Sequence, residues 1–297
     1  MSNQILSCTP EKFLDYELID SGNFLKLERF GKYTTIRPEP QAVWTPKSSV
    51  EAWENKADVR FIPKSSSSGS WQKFNAKMPD QWTIEYQIPN INKRITLRLG
   101  LTAFKHVGVF PEQAVNWQYI AESIQKINHK PVKFLNLFAY TGAASIAGKS
   151  AGADTTHLDS IKQVVNWASE NQKLSGLSDI RWVVEDALQF VKREVKRGNI
   201  YQGIILDPPA YGHGPNGEKW KLEDQLNEMM TEVLKLLDPE RHFFILNAYS
   251  LGYSSLILKN LITTNIKAQN LEIGELYLPD NSGHILPLGA FARFCKH

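Results

Sequence analysis

Apolar and polar positions fall into two regimes that meet near residue 108 of the 297-residue chain. Before that point short segments alternate, at residues 16–19, 24–30, 33–37, 83–86 and 95–99. A two-residue period is that of a half-buried strand. Pro38, Pro40, Pro46 and the run Ser65-Ser66-Ser67-Ser68-Gly69-Ser70 separate them, and the serine run reads as a mobile loop. The expectation for residues 1–108 is a small antiparallel β-rich domain.

The second regime starts with Pro111 and apolar residues 117, 120, 121 and 124 at helical spacing, a bridging helix over 114–125. His129-Lys130-Pro131 breaks it. Then come apolar runs at 132–138, 156–159, 182–184, 203–206 and 242–248, with helical stretches between them at 143–151, 160–174, 187–196 and 222–237. A helix at 254–264 and strands at 271–278 and 286–294 close the chain. Strand–helix alternation of this kind predicts an α/β fold, a seven-stranded doubly wound, Rossmann-like sheet over 109–297. Ligands of such sheets sit at the carboxyl ends of the strands.

Those ends carry the candidate chemistry. The first run leads into Phe138-Ala139-Tyr140-Thr141-Gly142. A single Gly falls short of the G-x-G-x-x-G fingerprint that dinucleotide phosphates require, which argues against a nucleotide-dependent oxidoreductase. It still allows a phosphate-free ligand such as S-adenosylmethionine, or a plain turn. Asp159 closes the second run, placed either to hold two ribose hydroxyls or to cap a helix. Asp186, after Glu185, closes the third, placed to receive an adenine amino group or to cap. Asp207-Pro208-Pro209-Ala210-Tyr211 closes the fourth. The prolines make a rigid ledge with free carbonyls, Asp207 can accept from an amino group, and Tyr211 can stack on a planar substrate. Residues 212–221 read as a mobile lid, with His213 as a base candidate.

Composition narrows the class without fixing it. Hydrophobic content is 42% and net charge +3, ordinary for a globular protein. Two cysteines, Cys8 and Cys295, leave no disulfide framework or cysteine zinc site in view, and no metal is expected. The N-terminus lacks a signal-peptide pattern and no run approaches membrane length, so a cytoplasmic protein without membrane partners is expected. Residues 1–108 hold 15 Lys and Arg against 11 Asp and Glu, the remainder 19 against 20. The first third is thus the more polyanion-facing. Its interleaved cations and rings (Lys26, Arg29, Phe30, Lys32, Tyr33, Arg37, Trp44, Trp53) read as an RNA-facing surface or as a β core with solvated charges.

Taken together, Gly-Val-Phe-Pro-Glu-Gln at 108–113, Asn-Leu-Phe-Ala-Tyr-Thr-Gly at 136–142, the acid after strand two, Asp186-Ala187 and Asp-Pro-Pro-Ala-Tyr at 207–211 resemble class I S-adenosylmethionine-dependent methyltransferases. More narrowly, they resemble the bacterial large-subunit ribosomal RNA methyltransferase group. The resemblance covers about residues 101–294. It implies an S-adenosyl-L-methionine site built from Gln113, Asn136, Phe138, Tyr140, Thr141, Gly142, Asp159, Ser160, Asp186 and Ala187, a catalytic set of Asp207, Pro208, Pro209 and Tyr211, and an RNA partner. Cytosine-C5 members of the group carry a nucleophilic Cys after strand five, where this chain reads Leu246-Asn247-Ala248-Tyr249-Ser250. Transfer to a nitrogen, on an exocyclic amino group of guanine or adenine, fits better. The alternatives are a methyltransferase for a small molecule or protein and a non-catalytic RNA-binding relative.

Overall fold

The computed structural model describes residues 4–65, 68–128, 131–249 and 252–296. Ser66, Ser67, the His129-Lys130 helix break and Ser250 lie outside the described residues. The N-terminal part comprises β1 (Ile5–Cys8), β2 (Tyr16–Gly22), β3 (Leu25–Phe30), β4 (Tyr33–Pro38), α1 (Val50–Glu54), β5 (Val59–Pro63), β6 (Gly69–Lys73), β7 (Gln81–Gln87) and β8 (Arg94–Gly100). A 3-10 turn, Pro111–Gln113, leads into α2 (Ala114–Lys126). The alternating part follows as β9 (Lys133–Leu137), α3 (Ala143–Ser150), β10 (Asp154–Asp159), α4 (Lys162–Leu174), β11 (Arg181–Val184), α5 (Ala187–Lys196) and β12 (Gly203–Leu206). A hairpin of β13 (Tyr211–His213) and β14 (Lys219–Lys221) precedes α6 (Leu222–Val233), β15 (His242–Ala248), α7 (Ser255–Asn265), β16 (Glu272–Pro279) and β17 (Ile285–Lys296).

The large sheet runs β1-β16-β17-β15-β12-β9-β10-β11. From β11 to β15 every pairing is parallel, and β17 is antiparallel to both of its neighbours. Strand order reverses between β9 and β12, and the crevice at such a switch point is where doubly wound sheets bind ligands. Helices cover both faces, so the central strands are buried and mostly apolar: all seven residues of β15 are buried, including Phe243, Phe244, Ile245 and Leu246. The seven expected strands are joined by an eighth. β1 pairs in parallel with β16, Ile5 opposite Ile273 and Cys8 opposite Leu276.

The N-terminal sheet β2-β3-β4-β5-β6 is mixed rather than purely antiparallel, because α1 lets β5 return parallel to β4. The expected serine loop is shorter than its composition suggests, since Gly69 and Ser70 pair with Pro63 and Ile62 in β6. Hairpin β7–β8 is amphipathic: Trp82, Ile84 and Tyr86 are buried between exposed neighbours. Its edge is satisfied by side chains of the sheet-covering helix, with Asn171 Oδ1 accepting from the Arg98 N–H at 2.8 Å and Trp167 Nε1 donating to the Arg98 carbonyl at 2.9 Å.

Several of the N-terminal charges are buried in ion pairs and not solvated. Glu28 is fully buried and accepts from the Tyr16 hydroxyl at 2.8 Å and from Arg37 Nε and Nη2 at 2.8 and 2.9 Å. Lys26 lies 3.5 Å from Glu28 and 3.2 Å from Glu39. Phe30 and Trp53 are core residues. Alternation predicted the strands but not which face is buried, because β3 and β4 are covered on both sides. A second buried knot ties this sheet to the closing hairpin: the Ser21 hydroxyl donates to Asp280 Oδ2 at 2.7 Å, and Trp53 Nε1 to Asp20 Oδ2 at 3.1 Å.

Candidate active site at the strand ends

The turn after β9 is a strained backbone segment. Phe138 and Tyr140 have φ of 56° and 50°, and Gly142 has φ of 85°. Positive φ is uncommon for bulky side chains and marks segments held by their surroundings. Asp159 does much of the holding: its carboxylate accepts from the Tyr140 N–H at 2.9 Å and the Ile161 N–H at 3.0 Å. Asp159 thus ties the ends of β9 and β10 together instead of capping a helix. Burial pushes its carboxyl up, while the N–H groups of Ile161, Tyr140 and Ser160 pull it back down. Each carboxylate oxygen has a second lone pair, so the group can still accept from a ligand hydroxyl.

Gly142 is also required by packing. A Cβ there would lie 2.8 Å from the Ala168 Cβ and 3.3 Å from His157 Cε1. Thr141 is also turned inward, its hydroxyl donating to the Gly108 carbonyl at 2.6 Å and its carbonyl accepting from Asn171 at 2.9 Å. Asn136 is buried, donating to Ser145, whose hydroxyl also meets His157 Nδ1 at 3.0 Å. These three support the turn from beneath through their hydrogen bonds and packing. Gly108, at φ 109°, anchors the same support, and a Cβ there would come within 2.4 Å of Trp167. Gly108→Ala is therefore expected to cost about 1–3 kcal/mol of stability, read from a denaturant midpoint, with a visible loss of cofactor affinity through Thr141. An unchanged midpoint would mean that the Trp167 ring gives way freely.

Phe138, Leu158, Ser160, Glu185, Asp186 and Ala187 surround a cleft, closed on the other side by Pro209, the β13–β14 hairpin and Trp220. Asp186 caps α5, accepting from the Gln189 N–H at 2.9 Å, so the capping alternative holds and one oxygen remains uncommitted. Glu185 is paired with Arg193. The expected mobile lid is an ordered hairpin. Trp220 is buried, packs against Phe138 at 4.8 Å between ring centroids, and donates to the Pro209 carbonyl at 2.8 Å. That bond also uses one carbonyl of the proline ledge expected to be free. Trp220 gave a signal in the sequence, an apolar residue between Lys219 and Lys221 in strand-like alternation, but the loop reading hid it.

Asp207 follows β12 as a half-buried residue, and burial pushes its carboxyl up to about 6. Pro208 is buried and Pro209 exposed. Tyr211 stands at the rim, 60% exposed, with its ring free to stack. The neighbouring strand end holds Asn247, and Asn247 and Asn116 both donate to Gln113 Oε1, at 3.2 and 2.9 Å. Gln113 therefore reaches the switch point with its amide donors uncommitted. Tyr140 packs on Phe110 at 5.5 Å. Cys8 and Cys295 are free thiols on β1 and β17, away from these strand ends.

No protein-family model matches the chain. A crystal structure of a SAM-dependent methyltransferase from Agrobacterium tumefaciens superposes with a TM-score of 0.89 at 36% identity, covering 97% of this chain and 93% of that one. A SAM-dependent methyltransferase from Streptococcus mutans, 15% identical with a TM-score of 0.72 over 96% and 76% of the two chains, shares the fold. Among curated proteins, the ribosomal RNA large subunit methyltransferase K/L of Shewanella frigidimarina is 27% identical over 197 residues, 65% of this chain and 26% of that protein. That of Shewanella pealeana is 23% identical over 270 residues, 89% and 36%. The chain thus spans about a quarter to a third of these curated relatives.

Proposed function

This chain belongs to the S-adenosylmethionine-dependent methyltransferases, and we propose that it methylates a nitrogen on a base of structured RNA, ribosomal RNA first among candidates. The observation that carries this reading is the Asp207-Pro208-Pro209 exit of β12, which leads to the exposed ring of Tyr211. Two ribosomal RNA methyltransferases among the relatives support the choice of RNA. The placement of both thiols far from β12 supports nitrogen over a covalent route through cysteine. The division at residue 108 into an RNA-facing part and a catalytic part belongs to the same proposal, with β1 counted in the sheet it joins.

The donor set fits the cofactor: an apolar slot between Phe138 and Leu158, an acid at its inner end and a second acid fixed beside the turn. When bound, S-adenosylmethionine supplies an electrophilic methyl group. Asp186 and Ser160 are assigned to the adenine end, Asp159 to the ribose, and Gln113, Phe138 and Tyr140 to the remainder. Asp207 accepts an N–H from the acceptor amine and so aims the nitrogen lone pair, while Tyr211 covers the face of the base. Asp159→Ala is expected to weaken S-adenosylhomocysteine binding by about 1–3 kcal/mol in a calorimetric titration, through the lost ribose bonds and a loosened Tyr140. Unchanged affinity would move the ribose elsewhere.

The decisive test is transfer of labelled methyl from S-adenosylmethionine to large-subunit ribosomal RNA. We expect ribonuclease-sensitive incorporation and RNA binding that weakens steeply with salt. Incorporation indifferent to ribonuclease would give the reaction to a small molecule or protein instead.

A further inference from the structure

A second, solvent-open pocket lies on the other side of the switch point from the Asp186 cleft. Arg37, Pro38 and Glu39 wall it from β4 and its exit, Lys105 and Glu112 from the bridging segment, and Tyr249 from just past β15. It shares a boundary with the cofactor turn through Phe110, which packs on Tyr140. Most of its charges are matched. Arg37 is held by Glu28, and Glu39 by Lys26 and the Tyr249 hydroxyl, the latter at 3.2 Å.

Two charges are not matched. The Glu112 carboxyl is 4% exposed and is reached only by its own backbone N–H among the described residues. Burial pushes it up to about 7 despite Lys26. Lys105, half-buried on the same wall, has no carboxylate at ion-pair distance among the described residues. A buried acid and a half-buried cation that line one pocket without ion-pair partners among the described residues are costly, and they suit a ligand that offers both N–H donors and a carbonyl oxygen.

The rim adds a second, independent observation. Phe24 is 60% exposed at φ 61°, and its carbonyl accepts from the Glu39 N–H at 2.7 Å. Phe104 is 55% exposed next to Lys105, whose carbonyl accepts from Arg37 at 3.1 Å. Exposed rings flanking a cation are a stacking platform for unpaired nucleotides. Asp207 and Tyr211 do not line this pocket, so it is not the seat of the reacting base.

We infer that the pocket is a specificity subsite for RNA, taking a base next to the methylated one, with Glu112 accepting from its N–H groups, Lys105 donating to its carbonyl, and Phe24 and Phe104 stacking on the adjoining nucleotides. The assignment rests on the RNA reading above. It is tested with the full chain and unmodified large-subunit ribosomal RNA made by transcription. Lys105→Met and Glu112→Gln are each expected to raise the KM and Kd for RNA roughly tenfold or more. Turnover at saturating RNA should fall far less than KM rises, and S-adenosylhomocysteine affinity should stay unchanged. If Glu112→Gln melts early, Lys105→Met together with Phe24→Ala carries the test, since neither change enters the core. RNA affinity equal to wild type in folded variants overturns the subsite while leaving the RNA reading intact. A fall in turnover with KM unchanged overturns it too, by giving the pocket to the reacting base. A wild-type protein that neither binds nor methylates RNA removes both readings.

Discussion

Glu28→Gln is expected to destabilise the protein by about 3–5 kcal/mol, the largest loss from any single substitution in the N-terminal sheet. Glu28 is fully buried and is the shared acceptor of Tyr16, Arg37 and Lys26. Its neutral amide leaves the Arg37 guanidinium buried without a counter-charge. Burial by itself would raise the Glu28 carboxyl, but Arg37, Lys26 and the bonds from Tyr16 and Arg37 outweigh it and hold the group below its usual range. A carboxylate lowered on folding contributes stability that is complete above its unfolded pKa and is lost as pH falls through the folded value. Urea midpoints should therefore separate wild type from variant most at neutral pH and converge in acid. Replacing Glu28 and Arg37 together by apolar residues of similar volume should restore much of the loss. A single variant as stable as wild type would show that water replaces the missing charge, and that the knot is wetter than its burial indicates.

Asp207→Asn should lower turnover by about a hundredfold to a thousandfold, while cofactor affinity changes much less. The amide keeps the volume of the side chain but presents donors as well as an acceptor to the incoming amine. Because burial lifts the carboxyl to about 6, wild-type turnover should fall as pH drops through that value and the group loses its charge. In Asp207→Asn this limb of the profile should vanish. Single-turnover rates with bound cofactor, measured between pH 5 and pH 8, separate the effect from binding. A variant that binds S-adenosylhomocysteine poorly but turns over normally at saturation would exchange the roles of Asp207 and Asp159.

The strand ends were legible in the sequence because parallel strands buried on both faces are written as uninterrupted apolar runs. Gly203-Ile204-Ile205-Leu206 could hardly be anything but an interior strand, and its acid-proline exit stands out. What the runs hide is the direction of side chains within a tight turn. Asn136, Thr141 and Gly142 belong to the same motif as Phe138, yet they brace the turn from beneath while Phe138 faces the cleft. Buried charge was illegible for a related reason. Lys26, Glu28 and Arg37 occur in alternating strands as solvent-facing residues normally do. Only their pairing across β3 and β4, with Lys26 in register with Arg37, makes their burial tolerable. Glu112 and Lys105 carried no pattern at all, since their meeting depends on the N-terminal sheet docking over the bridging segment.

The pairing of β1 with β16 bears on how the molecule is made. Ile5 is made long before its partner Ile273, so β1 waits until β16 has been synthesised before it has anywhere to go. Until then β16 has no edge to offer, and the β2–β6 sheet can assemble on its own nearby contacts. Pairing of β1 with β16 is thus expected to be a late and slow step, because it joins segments far apart in sequence. A nascent chain stalled before residue 272 would hold its N-terminal sheet complete and its first strand idle.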